Sequence, residues 1–124
     1  ASRGVAIRTA QADLGRWAWP SGEFDVVVSI FAHFPPELRV SVHRAMLAAL
    51  KPGGLVILEA FTPEQLNYTS GGPRLPEMLY TAGMLRADFA AGEVLELTET
   101  RTELAEGNYH SGPAAVVRLV ARRP

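Results

Sequence analysis

Cysteine is absent from the 124 residues, so no disulfide and no thiolate metal site can form, and a reducing compartment is the default expectation. Charge is sparse and balanced. Charged residues make up 20% of the chain and the net charge is −1 with three neutral His, which leaves no basic excess for a nucleic-acid surface. No apolar run approaches the roughly 20 residues that span a bilayer, and no secretory leader is visible. With no leader, Asn67-Tyr68-Thr69 is a chance match to a glycosylation acceptor. Glycine is present but not clustered. Adjacent glycines occur only as Gly53-Gly54 and Gly71-Gly72, and no Gly-x-Gly-x-Gly run exists. What remains is an ordinary globule, 48% hydrophobic, of one domain's length. A cytoplasmic location is expected, with no nucleic-acid or membrane partner.

The most informative stretch is Leu50-Lys51-Pro52-Gly53-Gly54-Leu55-Val56-Ile57-Leu58-Glu59-Ala60-Phe61. It reads as the end of a helix, a tight turn and an apolar strand. Lys51 supplies a cation at the helix C-terminus, Pro52 stops the helix, and the glycines permit a reversal at positive φ. Upstream, Phe24 to Phe31 is nearly all apolar, as a parallel strand buried on both faces should be. Between them, Pro35-Pro36-Glu37 opens a helix, and Leu38, Val42, Met46 and Leu50 recur every four residues with Leu47 beside them. These pieces make one βαβ unit of an α/β fold.

Other elements are weaker. Val5-Ala6-Ile7 alternates with Arg8 and predicts a short strand, followed by Asp13-Leu14-Gly15. Pro20-Ser21-Gly22 marks a turn. Residues 62–76 read as a long loop, and Pro76 to Phe89 as a helix with Met78, Leu79, Leu85 and Phe89 turned to the core. A strand within 93–106 and a last one over 114–121 are joined through Gly107-Asn108 and Ser111-Gly112-Pro113. So short a connection makes them antiparallel.

An Asp-Leu after a short strand, then Phe-Asp-Val-Val-Val-Ser, then a helix ending Leu-Lys-Pro-Gly-Gly, resembles the class I S-adenosylmethionine-dependent methyltransferases. It is most similar to the small-molecule type that includes tellurite-resistance and ubiquinone-biosynthesis enzymes. The resemblance covers nearly the whole chain and is specific for residues 24–61. It implies a partial Rossmann-like methyltransferase sheet, mostly parallel, with a C-terminal antiparallel hairpin. It also implies that the first βαβ unit, with its glycine-rich loop, is missing, so that residues 1–124 are a single truncated domain. Methyl transfer from S-adenosylmethionine to a small molecule is then the activity of the parent protein, and this chain alone is expected to be inactive and its own binding of the cofactor is in question. Two rivals stand beside it: a non-catalytic binding or interaction module derived from the same fold, and a dehydrogenase-like fragment, against which the antiparallel hairpin argues.

In open α/β sheets, ligands sit outside the carboxyl ends of the strands. The resemblance implies that Asp13 and the Leu14 N–H meet the adenine of the cofactor, and that Ser29, Ile30 and Phe31 line it. Asp13 as a turn cap is the plainer reading. His33 lies where the transferred methyl would pass and could serve as a base. A loop His bonded to nearby backbone is the plainer reading there. Phe61, Tyr68 and Arg74, with Glu59 and Gln65, belong to a segment resembling a substrate-covering lid, hinged at Gly71-Gly72-Pro73. No metal is expected. His43, mid-helix, is expected at a surface or groove, and His110 at a hairpin tip. Finally, strand 24–31 loses a neighbour if the first unit is absent. Either Val5 to Thr9 pairs with its bare edge, or a second copy does, and a symmetric homodimer through that edge is the expectation.

Overall fold

The structure is a computed structural model that describes residue 4 and residues 6–105 and 111–124. Strand β1, Phe24–Ile30, leads through residues 31–35 to helix α1, Pro36–Ala49, and back to strand β2, Leu50–Phe61. Beyond a 3-10 turn at Pro63–Asn67, another at Pro76–Met78 and helix α2, Ala82–Asp88, come β3, Glu93–Ala105, and β4, Ser111–Arg122. The sheet order is β1-β2-β4-β3. β1 and β2 run parallel, while β2–β4 and β3–β4 are antiparallel. The βαβ unit and the C-terminal hairpin are thus both present. The turn at Gly107-Asn108 and His110 lie outside the described residues.

α1 forms where the stripe predicts it, with Pro36 at its first position and Glu37 in its first turn. Val42, Met46 and Leu47 are buried against Val56, Leu58, Leu119 and Ala121 of the sheet, joined by Leu85 of α2 and by Phe89 just after it. The helix ends one residue before Leu50. Its last carbonyls are met by the Gly22 and Glu23 N–H groups, and Arg123 donates to the carbonyls of Ala48 and Leu50. Lys51 does not carry out the capping expected of it. Its ammonium is exposed and stands 3.8 Å from Asp25. No separate turn divides the helix from the strand: the two glycines lie inside β2, where its pairing with β1 slips between Phe24 and Val26. The special geometry expected of them is there, since Gly53 has φ +84° and a Cβ on Gly54 would lie 2.9 Å from the Asp25 carbonyl oxygen.

Two further expectations fail. No strand forms in residues 6–9, and Ile7 is 73% exposed. The short alternation there has no neighbouring strand to supply hydrogen bonds, so periodicity alone does not order it. The helix expected over 76–89 is broken in two. Leu79 and Tyr80 are extended and fully buried, and the Tyr80 N–H donates to the Phe61 carbonyl. Thr81 then caps α2 through its Oγ1, which accepts from the Met84 N–H at 3.2 Å. Burial of Tyr80 outweighs local helix propensity, which is worth less than about 1 kcal/mol per residue.

The two faces of the sheet differ. One is covered by α1 and α2. On the other, residues 61, 79, 104, 114 and 116 form a small cluster at one end, and the remainder stays open: Val28 is 60% exposed, Ile30 47% and Ile57 38%. No described helix is long and apolar enough to cross a membrane.

Candidate functional site

At the C-terminal end of β1 the chain turns sharply. Phe31 has φ +52°, which among the described residues is found at no other non-glycine position. A bulky side chain in the left-handed region is a local strain that the surroundings must hold in place. Its N–H donates to the Glu59 carbonyl at 2.8 Å, and its ring stacks on Phe61 with centroids 4.4 Å apart. The end of β1 is thereby fastened to the end of β2.

His33 continues that fastening. Its Nδ1 lies 2.6 Å from the Met78 carbonyl oxygen, and its Nε2 lies 3.1 Å from the Phe61 nitrogen. A carbonyl only accepts and an amide N–H only donates, so the ring is neutral, with the proton on Nδ1 and the Nε2 lone pair taken by Phe61. Burial lowers its pKa below the ordinary 6.5, against the raising effect of the Met78 carbonyl. The ring packs against Tyr80 at 4.8 Å and Phe61 at 5.7 Å. In this arrangement neither nitrogen is available to a substrate proton. The histidine ties three segments together.

Tyr80 completes the cluster. Its hydroxyl accepts from the Phe34 N–H at 2.6 Å, and burial pushes its pKa up to about 12. Tyr80 was not among the residues singled out from sequence. Its only sequence signal is a large amphipathic side chain in a segment read as helix.

The segment from Thr62 to Arg74 is strapped down. Gln65 is fully buried: its Nε2 donates to Ser70 Oγ and to the Gly71 carbonyl, and its Oε1 accepts from the Ala115 N–H of β4. Ser70 Oγ donates to the Pro113 carbonyl at 2.6 Å. Arg74 donates to the carbonyls of Gln65, Leu66 and Tyr68, closing the 3-10 turn on itself. Glu64 is held ionised below its usual range by a hydrogen bond from Arg101 of β3. Gly72, at φ +87°, sits where a Cβ would be 2.7 Å from the Phe61 ring. Gly72 of the expected hinge is therefore a place of close approach, and Arg74 is committed to backbone carbonyls.

A separate turn carries Asp13 and Leu14. Asp13 Oδ1 accepts from the Gly15 N–H at 3.0 Å, and its carbonyl accepts from Arg16 and Trp17. Trp19 Nε1 donates to the Leu14 carbonyl, and Trp17 and Trp19 pack at 4.9 Å. A Cβ on Gly15 would lie 2.7 Å from Leu38 in the first turn of α1, so this turn sits at the end of the sheet where β1 finishes. Beside it is a shallow cavity of about 240 Å³ lined by Ala10, Ala12, Leu14 and Trp17.

The other cofactor-lining candidates diverge. Strand alternation sends Ser29 beneath α1, where it is 5% exposed and its Oγ has no hydrogen-bond partner. Ile30 points to the open face, into a cavity of about 250 Å³ shared with Ile57, Glu59 and Arg118.

His43 is not at the surface. It is fully buried, with Nδ1 donating to Asp88 Oδ2 at 2.8 Å and Nε2 without a partner. Arg39 Nε donates to the same oxygen at 2.8 Å. Burial lowers the His43 pKa, more than the Asp88 carboxylate raises it. The sequence signal is the i, i+4 spacing of Arg39 and His43 on the flank of the apolar stripe. The partner that draws them inward comes from α2.

Residues 1–54 match a family model described as a methyltransferase domain. No curated protein matches the sequence significantly. Among solved structures, TehB from Haemophilus influenzae superposes with a TM-score of 0.72 at 20% identity, covering 99% of this chain and 43% of that one. The N-methyltransferase NodS from Bradyrhizobium japonicum, in complex with S-adenosyl-L-homocysteine, gives 0.69 at 13% identity over 99% and 57%. A SAM-dependent methyltransferase from Methanosarcina mazei gives 0.64 at 14% over 90% and 65%. The chain spans less than two thirds of each.

Proposed function

We propose that this chain, whose fold is part of the class I S-adenosylmethionine-dependent methyltransferase fold, is the cofactor- and acceptor-facing portion of a small-molecule methyltransferase. Residues 1–124 then form one truncated methyltransferase-like domain of a cytoplasmic protein. The observation that carries this reading is the apolar cavity beside Asp13, set at the C-terminal end of β1 by the approach of Gly15 to Leu38. Its chemistry suits an adenine: a flat apolar ring against Leu14 and Trp17, and an exocyclic amine donating to a carboxylate. Asp13 can cap the turn through Oδ1 and still accept through Oδ2, because a carboxylate has about four acceptor sites.

When bound, S-adenosylmethionine supplies an electrophilic methyl on a sulfonium. The residues of this chain need not move a proton for that step. Their contribution is position and exclusion of water. The packed rings of Phe31, Phe61, His33 and Tyr80 form an aromatic wall whose shape is fixed by hydrogen bonds to backbone. Here His33 is a positioning residue, which replaces the general-base role considered for it. Tyr68 and Arg74 shape the covering segment without offering a free cation.

The interaction-module reading draws on the same hydrogen bonds, since Asp13, His33 and Arg74 all serve the chain's own backbone. Titration with S-adenosyl-L-homocysteine, followed by the fluorescence of Trp17 and Trp19, separates the two. Micromolar affinity, weakened by about 1–3 kcal/mol in Asp13→Ala, supports the cofactor site. No response at millimolar ligand supports the module.

A further inference from the structure

We infer that His43 is a buried proton switch whose charging loosens α2 and, through Tyr80, releases Phe34 at the end of the aromatic wall. The imidazole has no part in the proposed methyl transfer, yet it is fully buried and its Nε2 has no hydrogen-bond partner. Among the described residues, the charged or titratable groups that bear on it come from each element around it. Arg39 lies on its own helix, and Asp88 on α2. His33 acts on it from the segment after β1, and the Tyr80 ring meets it from the segment before α2. The rings of Phe34 and Phe89 pack against it as well.

The Nδ1–H already donates to Asp88, so an added proton must go to Nε2, where no described group accepts it. The added charge would also stand with Arg39 on a single carboxylate oxygen. The closed cluster therefore takes up the proton less readily than an opened one, in which water solvates the ring. Burial holds the His43 pKa below 6.5 for the same reason, more than Asp88 raises it. Acid thus favours the opened cluster.

Opening separates α2 from α1, because Arg39 and His43 belong to α1 and Asp88 to α2. α2 has only 7 residues, and its cap Thr81 is all that stands between its first residue and Tyr80. The Tyr80 ring meets His43 edge to face at 5.4 Å and lies 5.9 Å from the Arg39 guanidinium carbon. Its hydroxyl, on the other side, accepts the Phe34 N–H. A shift of α2 therefore withdraws Tyr80 from Phe34. This coupling belongs to the fold and does not depend on what the site binds.

Amide exchange and imidazole NMR of the 124-residue chain, recorded from about pH 8 to about pH 4.5, test the proposal. Protection of the Phe34 amide should begin to fall near pH 6.5, by up to about tenfold per pH unit for one proton taken up on opening. The fall should level off at the midpoint of the His43 ring titration. The core amides of Val117 and Leu119 should stay better protected than Phe34 throughout, which marks the opening as local. His43→Phe should abolish the fall, and Tyr80→Phe should lower Phe34 protection at every pH. Phe34 protection that ignores pH overturns the switch, as does a fall that levels off at the His33 midpoint or persists in His43→Phe. Equal protection of Phe34 and the core amides reduces the effect to global unfolding and overturns it too. Phe34 protection unchanged in Tyr80→Phe overturns the link to the wall. The midpoint comparison needs no variant, so it decides the matter even where His43→Phe fails to fold.

Discussion

Replacing Asp88 by Asn removes a charge from a place that has been built around it. Asp88 is 4% exposed, the Arg39 side chain 11% and His43 fully buried. One carboxylate oxygen, Oδ2, accepts from both Arg39 Nε and His43 Nδ1 at 2.8 Å, while Oδ1 accepts a longer bond of 3.4 Å from Arg39 Nη2. An Asn can place its oxygen at the Oδ2 position and keep both short bonds. Its amide nitrogen then faces Arg39 Nη2, donor to donor. The guanidinium also loses its counter-charge, with the Tyr80 ring at 5.9 Å as residual compensation, worth about 0.5–1 kcal/mol.

Breaking a buried pair at one partner costs about 3–5 kcal/mol. Retention of two bonds and the slight exposure of Arg39 put Asp88→Asn at the lower end, about 2–3 kcal/mol. Asp88→Ala, which also orphans both donors, should reach the full figure. Arg39→Met in the Asn background should recover about 1–2 kcal/mol, because it removes the uncompensated charge. Urea denaturation of the three variants, monitored by far-ultraviolet ellipticity, provides the measurement. A loss below about 0.5 kcal/mol in Asp88→Asn would show that solvent reaches the cluster and would sink the account.

Gly72→Ala should cost about 2–4 kcal/mol, combining positive-φ strain with overlap on the Phe61 ring, and should change near-ultraviolet ellipticity from the Phe61–Tyr80 cluster. Gly53→Val should cost more than about 1 kcal/mol through strain at φ +84° alone, since open space surrounds it. A thermal midpoint unchanged from the parent contradicts either assignment. Stability should fall as pH drops below 6.5. His33 and His43 both have folded pKa values below that ordinary value, so the unfolded chain binds more protons there and is favoured. The loss should level off once pH passes the folded values. Replacing His43 with Phe should flatten the denaturation midpoint against pH over that window, and an unaltered slope excludes His43 as a source.

What was legible in the sequence is what local chemistry determines. α1 could be placed because its Pro36 start, its apolar stripe and the Pro52-Gly53-Gly54 breaker that follows it lie in one continuous stretch of sequence. The antiparallel hairpin followed from connection length. Composition alone marks Phe24 to Phe31 as a strand buried on both faces. Its apolar run is indeed a strand, but Val26, Val28 and Ile30 are exposed, because burial depends on what lies beside a strand and not on its composition. The break at Tyr80 was illegible for the same reason. Gly83 weakens a helix over 76–89 but does not mark a break at Tyr80; the Phe61 carbonyl, the Phe34 N–H and the His33 ring, all distant in sequence, hold Tyr80 outside the helix.

The candidate site shows the same division more sharply. Side chains that a family resemblance offers to a ligand were named from their position along the chain: Asp13, Ser29, Phe31, His33, Arg74. The structure gives most of their polar atoms to backbone partners that sequence spacing cannot reveal. His33 bonds Met78 and Phe61, which are 45 and 28 residues away. Arg74 bonds three carbonyls of one turn. Such bonds do not disqualify a ligand site. Rigid walls are what methyl transfer requires of a protein, since the reaction gains from held geometry more than from acid or base. A polar residue near a strand end can therefore contribute by holding an aromatic surface still. The consequence is measurable. If His33 positions rather than reacts, His33→Asn should disturb cofactor affinity and stability together, and any activity measured in a longer form of the protein should keep the pH profile of its parent. A lost acidic limb in that profile would return the proton-transfer role to His33.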